Sequence, residues 1–223
     1  MSRPAFYALD SGGWRDYVTL LHIPYTAWHL SYVVIGCALA PEFAGRRLLA
    51  ALAAFFLALG IGAHVLDELN GRPLSTQVST GALIALAAVS IGGAGAIGIV
   101  AALAWTPWLL LFVAAGAFLV VAYNLELFGG AFHSDLWFGL AWGAFPVLTA
   151  YFVTAERLRA AAILGATFAL VTSLAQRTLS TEVRGIRRRG TGDPSLLAPL
   201  ETALRLLSLA MVVLAATLLS LRW

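Results

Sequence analysis

The chain contains no lysine and a single cysteine among its 223 residues. Without lysine no Schiff base forms with an aldehyde cofactor, so retinal-based chemistry is excluded despite the many apolar segments. Cys37 has no second cysteine to pair with, which excludes an intrachain disulfide, and its place inside an apolar segment indicates a packing role. All the strong bases are therefore arginines, and the formal net charge is +3.

Charge of either sign is scarce. Charged residues make up 11% of the chain and hydrophobic residues 61%, whereas a soluble domain is typically about 25% charged. This composition predicts an integral membrane protein. Many of the arginines cluster in one segment, which favours anionic lipid or phosphate as a partner and argues against nucleic acid.

The apolar residues divide the chain into about seven segments long enough to cross a bilayer, which takes roughly 20 residues. We therefore expect one integral membrane domain over residues 1–223, an all-α bundle of about seven transmembrane helices without a cleavable signal peptide. Polar cytoplasmic segments are expected at about 1–20, 67–79 and 177–196. The expected spans lie near 27–40 with its preceding turn, 48–66, 80–103, 107–128, 136–153, 160–179 and 197–221.

The arginines also predict an orientation. An odd number of spans puts the N-terminus on the same side as the loops after spans two, four and six. That side carries Arg3, Arg15, Arg72, Arg177, Arg184, Arg187, Arg188 and Arg189, and the opposite side carries Arg46, Arg47, Arg157, Arg159 and Arg222. The positive-inside rule then predicts a cytoplasmic N-terminus, and we expect a bacterial inner membrane.

Ionisable residues appear abruptly at the end of the second span. His64, Asp67 and Glu68 are spaced i, i+3 and i+4, so on one helix they share a face, where they are able to ligate a cation or a polar headgroup. The alternative is a helix end meeting water, with Asn70 and Gly71 as the C-cap and a proline as the stop.

A second polar segment follows the sixth span. Arg177, Thr181, Arg184 and Arg188 recur at helical offsets and predict a cationic stripe suited to phosphate, because guanidinium groups donate paired hydrogen bonds and keep their charge. For residues 187–189 we favour a plain positive-inside flank.

A third polar group lies between spans four and five. Asn124 and Glu126 are two residues apart and do not share a helical face, so we expect Asn124, flanked by Tyr123, to point inward. His133 and Asp135 begin the next span, where an aspartate commonly acts as a helix cap.

Histidine in the first span offers a further ligand. His22 and His29 are two helical turns apart, and a lone histidine at such a place is usually hydrogen-bonded structure. If His29 reaches the second span, it joins His64, Asp67 and Glu68 in a set suited to zinc or another transition metal.

The order of these segments resembles the UbiA superfamily of intramembrane prenyltransferases. Members of that family have nine helices around a central cavity and two aspartate-rich motifs that bind magnesium and an isoprenyl diphosphate. The resemblance rests on Asp67 and the tail Arg72-Pro73-Leu74 at the end of the second span, with Tyr123-Asn124 adding a less specific match.

The departures change the expected chemistry. Where the family has Asn-Asp-x-x-Asp, this chain reads Ala63-His64-Val65-Leu66-Asp67, and the later aspartate of that motif falls at Gly71. The second motif offers only Glu182 as an acid, and about two C-terminal helices are missing. A pair of bridged magnesium ions is therefore not expected, and arginines are expected to take over part of the metal's role.

The resemblance implies a membrane prenyltransferase or terpene synthase acting on an isoprenyl diphosphate at a cytoplasm-facing cavity. Catalysis and the binding of one Mg²⁺ ion are assigned to His64, Asp67 and Glu68. Substrate binding is assigned to His29, Arg72, Tyr123, Asn124, Arg177, Glu182 and Arg184. An apolar tunnel is expected beside aromatic residues such as Tyr25, Trp28, Tyr32, Trp142 and Phe145.

Two other functions remain open from the sequence. One is a metal-dependent membrane hydrolase built on the histidine and carboxylate set. The other is a non-catalytic membrane protein of the same fold that binds a lipid or a partner and has lost the aspartates.

Overall fold

Helices form all the regular structure in the described part of the chain, which comprises residues 4–189 and 194–222 of a computed structural model. A four-residue helical turn, Leu127–Gly130, precedes the sixth helix. The helices are α1 (Trp14–Leu20), α2 (Ile23–Leu39), α3 (Gly45–Leu69), α4 (Thr80–Ala104), α5 (Leu109–Asn124), α6 (Asp135–Ala155), α7 (Ala160–Arg189) and α8 (Pro194–Ser220).

Five helices, α3, α4, α6, α7 and α8, are long and apolar enough to cross a membrane. α2 and α5 are also apolar, but they have only 17 and 16 residues. These helices are compatible with the integral membrane protein that the composition predicts. The count of seven spans and the likeness to the UbiA fold stay predictions.

α2 lies between α6 and α8 and positions the centre of the bundle. Gly36 lets α2 approach α6 closely, since a Cβ there would lie 2.5 Å from the carbonyl oxygen of Val147. Trp28 and Tyr32 of α2 are almost fully buried. The Trp28 indole N–H donates to the Tyr32 hydroxyl, which lies 2.7 Å from Thr172 Oγ1 of α7. These two aromatics are therefore core residues rather than walls of a tunnel.

Both α3 and α6 contain a π-helical segment, Phe56–Ala63 in α3 and Gly139–Ala144 in α6. π-helical turns are rare and are often found beside functional sites. The α3 segment ends immediately before His64. The wider turns therefore set the direction in which the polar end of α3 points.

The helices bring their ends together at two faces of the bundle. We call the polar face the end that holds the start of α2, α4, α6 and α8 and the end of α3, α5 and α7. At the opposite face Arg47 donates to Val153 O and to Glu156, both at 2.7 Å. Arg222 donates there to Ala40 O at 2.8 Å. The chain thus alternates between faces in the order that the sequence predicted.

α7 extends ten residues beyond the span predicted for 160–179 and ends at Arg189. Much of the loop expected at 177–196 is therefore helix. Gln176, Ser180, Val183 and Ile186 recur at helical spacing and are buried, so the continued turns pack against the bundle. Residues 190–193 of the expected loop, and Arg3 of the arginine count, lie outside the described residues.

Candidate functional site

Polar side chains from four helices, from the turns before α2 and α6 and from the N-terminal segment meet at the polar face. We call this group the polar cluster, and all four histidines of the chain belong to it. Its members interact through hydrogen bonds, ring contacts and electrostatic attraction or repulsion. They are Tyr7, His22, Tyr25, His29, His64, Asp67, Tyr123, His133, Gln176, Arg177 and Arg184.

Asp67 presents its carboxylate to the cluster without a close partner. The side chain is half-buried, and among the described residues it makes no hydrogen bond and no ion pair within 4.0 Å. It does interact electrostatically with Arg184, His133 and Arg177. The carboxylate therefore lies across a gap from positive charge.

Two guanidinium groups of α7 supply that charge. Arg177 and Arg184 are seven residues apart, two helical turns, and they repel each other. Arg177 forms an ion pair of 3.1 Å with Asp135, whose side chain is 74% exposed at the rim, and stacks over Phe138. Arg184 donates only to the Thr181 hydroxyl at 3.2 Å within the described chain. Arg184 is thus a cation at the mouth of the cluster with no acid bound to it.

Buried polar atoms without a partner gather at the same place. In the described residues four buried side-chain atoms lack a hydrogen bond: His22 Nε2, Tyr123 Oη, Gln176 Oε1 and Thr149 Oγ1. The first three belong to the polar cluster. An unsatisfied buried polar group costs roughly 1–3 kcal/mol, so three in one cluster indicate a place for a polar ligand.

The hydrogen bonds fix the tautomers of three histidines. Thr26 Oγ1 gives its single proton to Leu21 O at 2.6 Å, so His64 Nε2–H must be the donor in its 3.3 Å contact with that hydroxyl. His29 and His133 each place Nδ1 2.9 Å from a carbonyl oxygen, which only accepts. In the neutral form of each ring, the other nitrogen is the one without a proton and is the acceptor.

His22 and His64 stack face to face, with ring centroids 3.9 Å apart. His22 also contacts the Tyr7 hydroxyl through Nδ1 at 3.0 Å. Burial, assisted by the charge of Arg184, lowers the pKa of His22 to about 3, so this ring is neutral at physiological pH. Burial likewise raises the pKa of the Tyr7 phenol, which stays protonated.

Glu68, the acid next to Asp67, has a different role from the one expected. It is 1% exposed, and its carboxylate accepts hydrogen bonds from Leu74 N, Thr76 N and Thr76 Oγ1 at 2.8–2.9 Å. Both oxygens hold the loop between α3 and α4. Glu68 therefore organises that loop and faces away from the polar cluster.

Three further residues assigned to substrate binding also lie outside the cluster. Arg72, in a left-handed conformation at φ 52°, donates to Val78 O at 2.6 Å and to Thr80 Oγ1 at 3.0 Å, which ties the loop to α4. The side-chain amide of Asn124 donates to Val120 O of its own helix at 2.7 Å. Glu182 is exposed and pairs with Arg189. These side chains are engaged locally, whereas His29, His64, Asp67, Tyr123, Arg177 and Arg184 converge.

The N-terminal segment covers the cluster, which the sequence did not predict. Buried Asp16 accepts hydrogen bonds from Gly12 N and from Gln77 N, at 2.9 and 2.8 Å, and so joins this segment to the α3–α4 loop. Tyr7 then reaches His22, and Phe6 lies 5.0 Å from the guanidinium carbon of Arg205 in α8. No local sequence pattern marks Tyr7 or Gln176, because their positions follow from tertiary packing alone.

In the described residues the donor side chains of the cluster do not by themselves form a complete metal site. Among the described residues no group of three His, Cys, Asp or Glu side chains is placed to hold one. Glu68 is committed to the loop, and Asp67 faces guanidinium groups. Magnesium and calcium sites are built from several oxygen ligands, and zinc sites from three or four nitrogen, sulfur or oxygen ligands. Asp67 is one carboxylate of the kind that holds Mg²⁺ together with substrate phosphates, so the expected magnesium ion stays a prediction, and the zinc set with His29 is not assembled in the described residues.

An apolar groove runs from below the cluster toward the opposite face, between α3, α4, α5 and α6. The cavity volume of the groove is about 120 Å³, and Trp142 and Phe145 are among its walls. Trp142 also contacts the Tyr123 ring edge to face at 5.3 Å. The groove thus begins beside the polar cluster.

Comparison with known proteins adds no assignment to this geometry: no family model matches the chain, and neither a curated protein nor a solved structure is similar to it.

Proposed function

We propose that this chain is an intramembrane prenyltransferase or terpene synthase of the UbiA type, which binds an isoprenyl diphosphate at the polar cluster. The observation that carries the proposal is that Asp67 and Arg184, both members of the polar cluster, form no ion pair within 4.0 Å among the described residues. The resemblance of Asp67 and its Arg-Pro-Leu tail to the first motif of that family supports it.

The arginines provide the anion site. Two like charges held near one another favour a ligand that carries several negative charges, and a diphosphate offers guanidinium groups paired oxygen acceptors. Arg184 has no acid to displace, and the ion-pair partner of Arg177 is largely exposed. Binding a diphosphate between them removes their repulsion at little cost.

The same charges assist the chemical step. When the bond between C1 and the bridging oxygen of an allylic diphosphate breaks, the electron pair leaves with the diphosphate, where the guanidinium groups stabilise it. In a transferase, the new bond forms between C1 and the nucleophilic atom of an acceptor. In a synthase, it forms between C1 and a carbon of an internal double bond of the same molecule. The proton released goes to Asp67, whose negative charge also stabilises the allylic cation.

Thermal unfolding of the detergent-purified protein tests the binding step. We expect geranylgeranyl diphosphate to raise the unfolding temperature of the wild type, and Arg184→Gln to abolish this rise. Arg188→Gln is the matched control, since Arg188 is an exposed arginine of the same helix. The rise should persist in EDTA, because the binding groups are arginines. An equal rise for wild type and Arg184→Gln contradicts the proposal.

Turnover separates catalysis from binding. Asp67→Asn should retain the thermal protection and lose release of diphosphate, because it removes the proton acceptor and leaves the cations. A non-catalytic lipid-binding protein is the second candidate, favoured by the commitment of Glu68 to the loop. Protection by the diphosphate with no turnover by the wild type, across phenolic, alcohol and lipid acceptors, would establish that alternative.

A further inference from the structure

A second cavity lies at the opposite face of the bundle, between the loop that joins α2 to α3 and the loop that joins α6 to α7. Its volume is about 340 Å³, and polar or charged side chains form most of its wall. We call it the arginine cavity. No member of the polar cluster lines it, so it is separate from the site of the proposed function. Its charged lining residues are Glu42, Arg46, Arg47, Glu156 and Arg157.

Arg47 and Glu156 are engaged within the fold. Arg47 donates to Glu156 at 2.7 Å and to Val153 O and Thr154 O, at 2.7 and 3.3 Å, in the last turn of α6. Its guanidinium carbon also lies 5.1 Å from the centre of the Trp105 ring. Arg47 therefore stabilises the end of α6 and neutralises the one acid beside it.

Arg46 and Arg157 have no such role. Both are exposed, and among the described residues neither forms an ion pair within 4.0 Å. Arg46 stands in the first turn of α3, where the helix dipole disfavours a cation, so helix stability does not explain it. The positive-inside rule does not explain it either, because this face is the one predicted to lie outside. The two guanidinium groups thus bring charge to the cavity that the fold leaves unused.

An apolar strip of α3 begins directly below Arg46. Leu49, Ala53 and Phe56 follow Arg46 at offsets of three, seven and ten residues, and all three are exposed. From Leu49 to Phe56 the strip is about 10 Å long at the helical rise per residue. Because α3 is long and apolar enough to cross a membrane, the strip would contact acyl chains while Arg46 lies at the level of the headgroups.

We infer that the arginine cavity binds the phosphate group of an anionic phospholipid, with an acyl chain along the strip of α3. Guanidinium groups donate paired hydrogen bonds to phosphate oxygens and keep their charge. Three arginines against two glutamates leave the lining with a surplus of one positive charge, which a phosphodiester with one negative charge balances. A headgroup that also carries an ammonium group has no net charge and leaves that surplus in place. Phosphatidylglycerol should therefore bind better than phosphatidylethanolamine.

Native mass spectrometry of the detergent-purified protein, titrated with phosphatidylglycerol, tests the site. We expect Arg46→Gln and Arg157→Gln each to weaken binding of the lipid about fivefold, the scale for one basic residue at an anionic membrane surface. Arg159→Gln is the matched control, because Arg159 is an exposed arginine of the same loop that does not line the cavity. Unchanged affinity in both cavity variants, or an equal loss in the control, overturns the inference.

Three further arms separate the alternatives. Phosphatidylethanolamine that binds as tightly as phosphatidylglycerol would contradict the charge balance and overturn the inference. Inorganic phosphate that displaces the lipid at equal concentration would show a site for a soluble anion in place of a lipid. Arg184→Gln should leave phospholipid binding unchanged; loss of the lipid from this variant alone would place it in the polar cluster and overturn the inference. Since protection by a prenyl diphosphate depends on Arg184 and phospholipid binding on Arg46 and Arg157, the two proposals fail separately.

Discussion

Asp67 and Glu68 are neighbours in the chain and face different surroundings. Successive residues of a helix point about 100° apart, so a turn that directs Asp67 into the polar cluster directs Glu68 toward the loop. The Glu68 carboxylate accepts three hydrogen bonds from that loop, whereas the Asp67 carboxylate accepts none among the described residues. One carboxylate therefore has a structural role, while the other is free for a ligand.

Glu68→Gln should destabilise the protein by about 2 kcal/mol, the scale of a lost hydrogen bond to a charged group. The amide keeps the shape but turns one acceptor into a donor that faces backbone N–H groups. Thermal unfolding in detergent measures the effect, and proteolysis should become faster within the loop at residues 70–79. Glu182→Gln is the control, since Glu182 is exposed and its ion pair is worth little. Equal stability of the two variants would contradict the structural role of Glu68.

Residue spacing predicted part of the site because helical faces are local. The spacing of His64 and Asp67, and of Arg177 and Arg184, is enough to place each pair on one face of its helix. Tyr7 and Gln176 were missed because their contacts join segments far apart in sequence. The direction of the Arg72 side chain depends on its left-handed backbone conformation at φ 52°, which the neighbouring sequence does not predict.

At the scale of helices, the π-helical segments decide which residues face the cluster. Each wider turn in α3 shifts the phase of all later residues relative to an α-helix, and the segment Phe56–Ala63 ends at the residue before His64. A strict 3.6-residue period drawn from Gly45 would therefore direct His64 and Asp67 elsewhere. The sequence gives no local signal for this change beyond two glycines, Gly60 and Gly62.

Gly143→Ala tests how closely α6 and α7 are packed. The added Cβ would lie 2.5 Å from Ala169 O and 2.6 Å from Ser173 Oγ, so the helices must separate. We expect a loss of about 2 kcal/mol, typical of overpacking, seen as a lower unfolding temperature. Gly92→Ala is the control on α4: its Cβ enters open space, and replacing a helical glycine there should leave stability unchanged or raised. A fall for Gly92→Ala as large as for Gly143→Ala would refute the packing argument.

At the scale of the whole molecule, hydropathy located the apolar helices well. Five of the seven expected segments overlap their helices closely, because apolar length is set by the bilayer and is visible in composition. The segment expected at 160–179 begins with α7 but ends ten residues before it. α2, which matches the first expected span, starts earlier than residue 27, at Ile23, since Pro24 fits the first turn of a helix instead of preceding it. The lateral arrangement of the helices, and hence the groove, depends on which small residues meet which rings. Composition does not contain that information.

The arginine distribution predicts that the polar face is cytoplasmic. Cys37→Ala gives a cysteine-free background in which Glu182→Cys marks the polar face and Arg157→Cys the opposite face, both at exposed positions. In intact cells a membrane-impermeant maleimide should label Arg157→Cys and should label Glu182→Cys only after lysis. The reverse pattern would invert the orientation without affecting the architecture.

The N-terminal cover has a consequence for how the protein is made. Its contacts include Gln77, in the loop between α3 and α4, and Arg205, in α8. Since the ribosome produces Phe6 and Tyr7 before α2 and produces Arg205 only within α8, the covering segment lacks part of its contacts while α2 to α7 are being made. The polar face therefore closes only after α8 has been made, and the covering segment, although made before α2, settles after it.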